Sequence, residues 1–200
     1  MSWIAVAVLA GVVLFQPEVR GLFYRLRYPR TVRFLRRVPR AEISEEIVDA
    51  VDRLSRAGHG AIIVVQQQMS LDSYSDSGTE LQANVSSDLL VTIFAPYTPL
   101  HDGAVIIRDV VIVAAGCILP LSQADFPDRM RGTRHRAAVG LSEVTDALVI
   151  AVSEENSSIS VAYKGEIYRG LSTLELRDVL GGQMPRDATQ QHYTVESTTR

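Results

Sequence analysis

The sequence predicts an α/β fold: one domain with a central mixed β-sheet flanked by helices, preceded by a partial transmembrane helix. Three observations predict it. Short β-branched runs such as Ala61 to Val65 alternate with segments of helical periodicity. Hydrophobic residues make up 46% of the 200 positions, enough for one real core plus tails. A charge-free apolar run, Trp3 to Phe15, comes before everything else. The organisation read from these is an apolar segment over residues 1–16, a basic stretch over 17–40, a folded domain over 41–182 and a disordered tail over 183–200.

A helix made of the apolar run covers roughly 20 Å, short of the roughly 30 Å hydrocarbon core of a bilayer. Three readings compete: the tail end of a transmembrane helix, a signal peptide, or a helix buried against protein or lying in the interface. No basic residue precedes the run, which disfavours the signal peptide. Arg20, Arg25, Arg27, Arg30, Arg33, Arg36, Arg37 and Arg40 follow it, interleaved with Leu22, Phe23, Tyr24 and other apolar residues. A juxtamembrane stretch of this kind stays on the cytoplasmic side and is drawn to anionic lipid, which favours the first reading. The expected location is therefore the cell membrane, with the domain cytoplasmic. A solvated basic linker or a packed helix face are the plainer alternatives.

Residues 1–40 hold eight Arg against one Glu, a local +7, whereas the whole chain carries −3. The balance of the chain is acidic, which excludes nucleic-acid binding by the chain as a whole. The single cysteine, Cys117, can form no internal disulfide and sits in an apolar run as a buried strand residue, pointing to a reducing compartment.

Along the domain, Ile43, Ile47, Val51 and Leu54 place one apolar face on a helix over Glu42 to Ala57, with Ser44 as its expected cap and Gly58 as its stop. Ala61 to Val65 is a buried strand, and residues 66–78 are loop-like with room for one helical turn. Ser86 or Ser87 opens a helix that ends before Pro96. Ala104 to Ile107 and Val110 to Ile118 form a hairpin about Arg108-Asp109. A helix over Thr133 to Glu143 precedes strands at Ala147 to Val152 and Ile159 to Tyr163. Lys164-Gly165 turns the chain into Glu166 to Tyr168, and a helix over Ser172 to Leu180 closes at Gly181-Gly182.

Three constellations carry chemistry. His101-Asp102-Gly103-Ala104 puts a carboxylate on a loop entering a strand, where it can bind a divalent cation or orient a hydroxyl. Asp-Gly is also a common turn. Gly132-Thr133-Arg134-His135-Arg136 opens a helix, with Thr133 expected at the cap. Free backbone N–H groups and forked guanidinium donors there suit phosphate oxygens. Arginine is disfavoured at a helix N-terminus unless an anion is bound. Ser153-Glu154-Glu155 ends a strand with carboxylates that could share a metal or hold a ribose hydroxyl; exposed strand-end acids are also commonly bland. Together the three point to a nucleotide site without Walker A or Gly-x-Gly-x-x-Gly patterns. His59 and His192 are read as incidental.

Asp102-Gly103-Ala104 and Arg134-His135-Arg136 resemble the two signature motifs of the diadenylate cyclase (DAC, DisA N-terminal) domain family. The flanks Val85-Ser86-Ser87, Pro99 to Ile107, Leu119-Pro120-Leu121-Ser122 and Gly132 to Asp146 agree, so the likeness covers about residues 42–180. The basic stretch and Phe15-Gln16-Pro17-Glu18 are similar to the membrane-bound, CdaA/DacA-type branch. That branch usually carries three transmembrane helices, and this chain has part of one. Ile118 stands where relatives often have an aromatic residue.

The resemblance implies an enzyme, a nucleotidyltransferase that condenses two ATP into cyclic di-AMP and releases two pyrophosphates from a face-to-face homodimer. It implies Asp102, with His101, as ligands of Mg²⁺ or Mn²⁺, and Asp102 as the group orienting the 3′-hydroxyl. Gly103 and Ala104 let the backbone approach the nucleotide. Gly132, Thr133, Arg134, His135 and Arg136 hold phosphates, Ser153 and Glu155 lie near the metal or triphosphate, and Leu119 meets adenine. A YbbR-domain regulator and phosphoglucosamine mutase are the implied partners. A non-catalytic nucleotide sensor, or a hydrolase or other nucleotidyltransferase on the same scaffold, are the competing functions.

Overall fold

A computed structural model describes residues 40–124, 132–184 and 193–194. The apolar segment of residues 1–16, the basic stretch up to residue 39 and most of the tail lie outside the described residues. Among the described residues no helix is long and apolar enough to cross a membrane.

The elements run α1 (Arg40–Ala57), β1 (Ala61–Val65), α2 (Asp72–Ser75), β2 (Thr79–Asn84), α3 (Ser87–Ile93), β3 (Ala104–Arg108), β4 (Val111–Cys117), α4 (Thr133–Val144), β5 (Leu148–Val152), β6 (Ile159–Tyr163), β7 (Glu166–Arg169), α5 (Thr173–Leu180) and β8 (Tyr193–Thr194). Among the described residues the strands form one sheet in the order β2-β4-β3-β1-β5-β6-β7-β8. The β1–β3 pair is parallel and the others are antiparallel, so the sheet is mixed as expected.

Side chains alternate across a strand, so a fully apolar strand must be covered on both faces. On one face Ile62, Val64, Ile106, Val149 and Ala151 join Ala137, Ala138 and Leu141 of α4 in a single cluster. On the other side α1, which buries Ile43, Ile47, Val51 and Leu54, packs against α3 and α5 and reaches β5.

Several local expectations are corrected. Helix α1 begins at Arg40, so Ser44 lies inside it and is buried rather than capping it. The β3–β4 turn falls at Asp109-Val110, one residue later than read. Strand β2 was read as part of no element, because Thr79 to Asn84 has little apolar content. It is an outer strand with a register shift between Glu80 and Ala83 and Gln82 at φ 50, features that blunt a sheet edge. Within the stretch read as a disordered tail, Tyr193-Thr194 pair with Ile167 and Glu166 as β8. Both are strand-favouring residue types.

Candidate functional site

The sheet register decides which loops meet. Ile63 pairs with Val105, so carrying the parallel register to the strand starts sets Gly60 level with Asp102. Ala61 pairs with Val152 in the antiparallel partner, which sets Gly60 level with Ser153. Neighbouring strands lie about 5 Å apart. The Asp102 loop and the Ser153-Glu154-Glu155 turn therefore flank Gly60 at one end of the sheet.

Helix α4 runs back along β5, which brings its first turn to the same end. The Arg134 guanidinium donates to the Glu154 carboxylate at 2.5 Å. It also lies across Gly60, where a Cβ would stand 2.5 Å from its central carbon. Arg134, Glu154, Gly60 and, by register, Asp102 are thus gathered around one point. Gly60 carries no local mark in the sequence, and within the Ser153-Glu154-Glu155 constellation it is Glu154, not the expected Glu155, that meets Arg134, a contact spanning 20 positions.

Gly103 holds the approach that the sequence assigned to it. Its φ is 128, and a Cβ there would stand 2.6 Å from the Gly116 carbonyl carbon. Only glycine allows this backbone and lets the Asp102 loop lie against the end of β4. Ala104, the first residue of β3, is fully buried. His101 donates through Nδ1 to the Thr98 carbonyl at 2.5 Å, because a carbonyl only accepts. Asp102, the following residue, is exposed. Among the described residues no group of three or more His, Cys, Asp or Glu could hold a metal. A cation held by His101 and Asp102 therefore needs further ligands from a substrate, as magnesium sites on phosphates do.

The helix start differs from expectation. Gly132, not Thr133, is the cap residue, and it offers no side-chain hydrogen bond. Thr133 is the first helical residue, and no acidic residue occupies the first turn. Within this turn the His135 and Arg136 N–H groups donate to the Gly132 carbonyl at 3.1 and 3.2 Å, and among the described residues no side chain caps α4.

His135 is only 6% exposed, and its Nε2 lies 3.3 Å from the Ser160 hydroxyl in β6. Burial, reinforced by the nearby Arg169 cation, pushes it down to about 4, so it is neutral at pH 7. Arg136 directs its guanidinium to the Ser122 carbonyl, with Nε at 3.3 Å and Nη2 at 3.1 Å. Ser153 organises its turn: its hydroxyl accepts from the Glu155 and Asn156 N–H groups at 3.3 and 3.4 Å. Glu155 itself is exposed. Leu119 is 8% exposed inside the core cluster, while its neighbour Ile118 is 73% exposed.

The fold and site define a class first: an α/β domain with an unshielded helix start, an arginine and a carboxylate loop at one sheet end, suited to a nucleotide's phosphates. Residues 48–167 match the family model described as DAC, DisA bacterial checkpoint controller nucleotide-binding, and the chain belongs to that family. It is 40% identical over 185 residues to the cyclic di-AMP synthase CdaA of Bacillus subtilis, covering 90% of this chain and 67% of that one. It is 42% identical over 175 residues to the diadenylate cyclase of Listeria monocytogenes strain 10403S, covering 86% and 64%. The chain thus spans about two thirds of these relatives' length. The crystal structure of a DacA double mutant from Staphylococcus aureus superposes with a TM-score of 0.69 at 39% identity, covering 71% of this chain and 95% of that one. A solved protein of Bacillus cereus, described as a hypothetical membrane spanning protein, gives 0.63 at 45% identity over 66% and 64%.

Proposed function

We propose that the protein is a diadenylate cyclase that converts two ATP into cyclic di-AMP and two pyrophosphates. The observation carrying this reading is the meeting of the Asp102 loop, Arg134 and the start of α4 at one end of the sheet. In each half-reaction a ribose 3′-oxygen forms a bond to the α-phosphorus of the other ATP. The bond from that phosphorus to the β-phosphate bridge breaks, pyrophosphate leaves, and the hydroxyl proton passes to Asp102 and then to water. Arg134 and the N–H groups of the first turn of α4 hold the triphosphate, and Gly103 keeps the loop backbone close to the nucleotide. Catalysis here is mostly positioning and neutralisation of charge. Mg²⁺ or Mn²⁺ on His101 and Asp102 would stabilise charge on the phosphate oxygens and the departing pyrophosphate.

Two identical substrates exchanging identical bonds call for two opposed identical sites, hence a symmetric dimer. One chain then supplies half a site, and activity per molecule rises as dilute protein is concentrated. The apolar run and following arginines of residues 1–39, and the likeness to a protein described as membrane spanning, support anchoring at the membrane with the catalytic domain cytoplasmic; a YbbR-domain protein and phosphoglucosamine mutase are the partners the family resemblance implies. The deciding assay incubates the purified chain with ATP and Mn²⁺ and identifies products by mass. Cyclic di-AMP is expected. ATP returned intact would favour a nucleotide sensor, and ADP or AMP a hydrolase.

A further inference from the structure

Residues Arg136, Gly140 and Glu143 recur at helical spacing and share one face of α4. The segment Leu119 to Ser122 lies directly on that face. A Cβ at Gly140 would stand 2.3 Å from the Pro120 carbonyl oxygen and 2.6 Å from the Ser122 nitrogen. The Ser122 N–H donates to the Arg136 carbonyl at 3.0 Å, and the Arg136 guanidinium donates twice to the Ser122 carbonyl. The Ser122 hydroxyl donates to Glu143 at 2.6 Å and accepts from the Ala124 N–H at 3.3 Å. Ser122 is therefore bound through its backbone on both sides and through its side chain, and it is almost wholly buried. Arg134, two residues earlier, points elsewhere, to Glu154 and Gly60.

We propose that Arg136 is a positioning residue for the base end of the nucleotide, acting by clamping Ser122 and with it the Ile118–Ser122 segment onto α4, rather than a phosphate ligand. The proposal rests on the cyclase reading of this sheet end and divides the two arginines of one motif. Both N–H groups of Arg136 that meet Ser122 share a single carbonyl, a use of the guanidinium fork that lysine's single ammonium cannot reproduce. Turning them to a phosphate would leave a buried backbone carbonyl without its donors, which is costly. The segment so held carries exposed Ile118 at its outer end, whose N–H is fixed by the Ser77 hydroxyl at 3.0 Å. Phosphate grip and base placement are thereby built on opposite sides of one helix turn.

The test titrates the full chain with inorganic tripolyphosphate, 3′-deoxy-ATP and 3′-deoxy-GTP, the last two lacking the attacking hydroxyl. Arg134→Met should weaken tripolyphosphate about tenfold or more. Arg136→Met should leave tripolyphosphate within about twofold, weaken 3′-deoxy-ATP about tenfold and narrow its margin over 3′-deoxy-GTP. Equal loss of tripolyphosphate in both variants overturns the proposal. Should Arg136→Met fail to fold, the wild-type chain answers through the NMR resonance of the Arg136 Nε–H, which donates to the Ser122 carbonyl. It should hold its position on saturation with tripolyphosphate, and a large shift would mean that Arg136 has swung to the phosphates. A wild-type chain that binds tripolyphosphate but makes no cyclic di-AMP sinks the cyclase reading and leaves the arginine comparison readable.

Discussion

The two ends of the sheet are built on opposite principles. At the far end two prominent charges, Arg108 and Asp146, are answered nearby. Arg108 donates to the Gln66 side chain at 3.1 Å and to the Asp72 carboxylate. The Asp146 carboxylate accepts from the Gln68 and Met69 N–H groups, both at 3.0 Å, and so fastens the loop after β1. At the near end α4 starts without a side-chain cap or an acid, two arginines stand in its first turn, and Asp102 is exposed. At the near end Arg134 is paired with the exposed Glu154 and Asp102 is itself exposed, which leaves this end the more open to a ligand. Stability and function therefore reside in different places, and substitutions can tell them apart.

The largest expected effect is at Asp102. Asp102→Asn keeps the shape and removes the charge, so cyclic di-AMP formation should fall about 10²–10⁴-fold. The side chain is exposed and holds no part of the core, so thermal unfolding should stay close to wild type. Turnover like that of the wild type would remove Asp102 from the mechanism. Next comes a matched pair of arginines from the two ends. Arg134→Met should slow cyclisation about 10²-fold with little change in unfolding. Arg108→Met should leave the rate intact and cost at most about 1 kcal/mol, the usual worth of a partly exposed ion pair. If both variants lose activity equally, the contrast between the ends fails.

Much of the frame was legible. The run Ala61 to Val65 and the Ser86 cap are local signals, and each appears where the residue types put it; the β3–β4 hairpin forms with its turn one residue later. The two motifs stand out through their resemblance to a known family, since Asp-Gly alone is a common turn, and the sheet register brings the Asp102 loop to the end where Arg134 lies. What the sequence could not show were the long-range choices. Whether Glu154 or Glu155 meets Arg134 depends on how the turn after β5 winds about the Ser153 hydroxyl. Gly60 matters only because a guanidinium 74 positions later in the chain crosses it. Thr133 reads as a cap from its type, yet the chain enters α4 with Gly132 extended and the threonine already helical. His135 reads as a phosphate group by its neighbours, and the fold buries it against Ser160.

That burial gives a pH-dependent prediction of intermediate size. The unfolded chain protonates His135 near 6.5, whereas the folded chain resists until about 4. Stability from this residue is fully present above pH 6.5 and declines as pH falls toward 4, since the unfolded state takes up the proton first. The difference corresponds to about 3 kcal/mol at most. Urea titrations at pH 7 and pH 5 should show the decline, and His135→Gln should flatten it. An unchanged slope in that variant would mean that other groups carry the acid sensitivity.

The smallest effect compares two helix starts directly. In α5 the Ser172 hydroxyl accepts from the Glu175 N–H at 3.2 Å, and the Glu175 carboxylate accepts from the Ser172 N–H at 2.7 Å. Those bonds from Ser172 hold the Glu175 carboxyl below its ordinary value. This is a capping box; in α4 the corresponding His135 N–H donates to the Gly132 carbonyl at 3.1 Å instead. Ser172→Ala should therefore cost about 1 kcal/mol of stability, read by urea unfolding. Cyclisation per folded molecule should not change, because α5 packs on α1. The absence of a side-chain cap that would weaken α5 is how α4 already starts. A fall in activity without a fall in stability in Ser172→Ala would mean that the two helix starts are not independent, and that the near end draws on more of the molecule than its own loops.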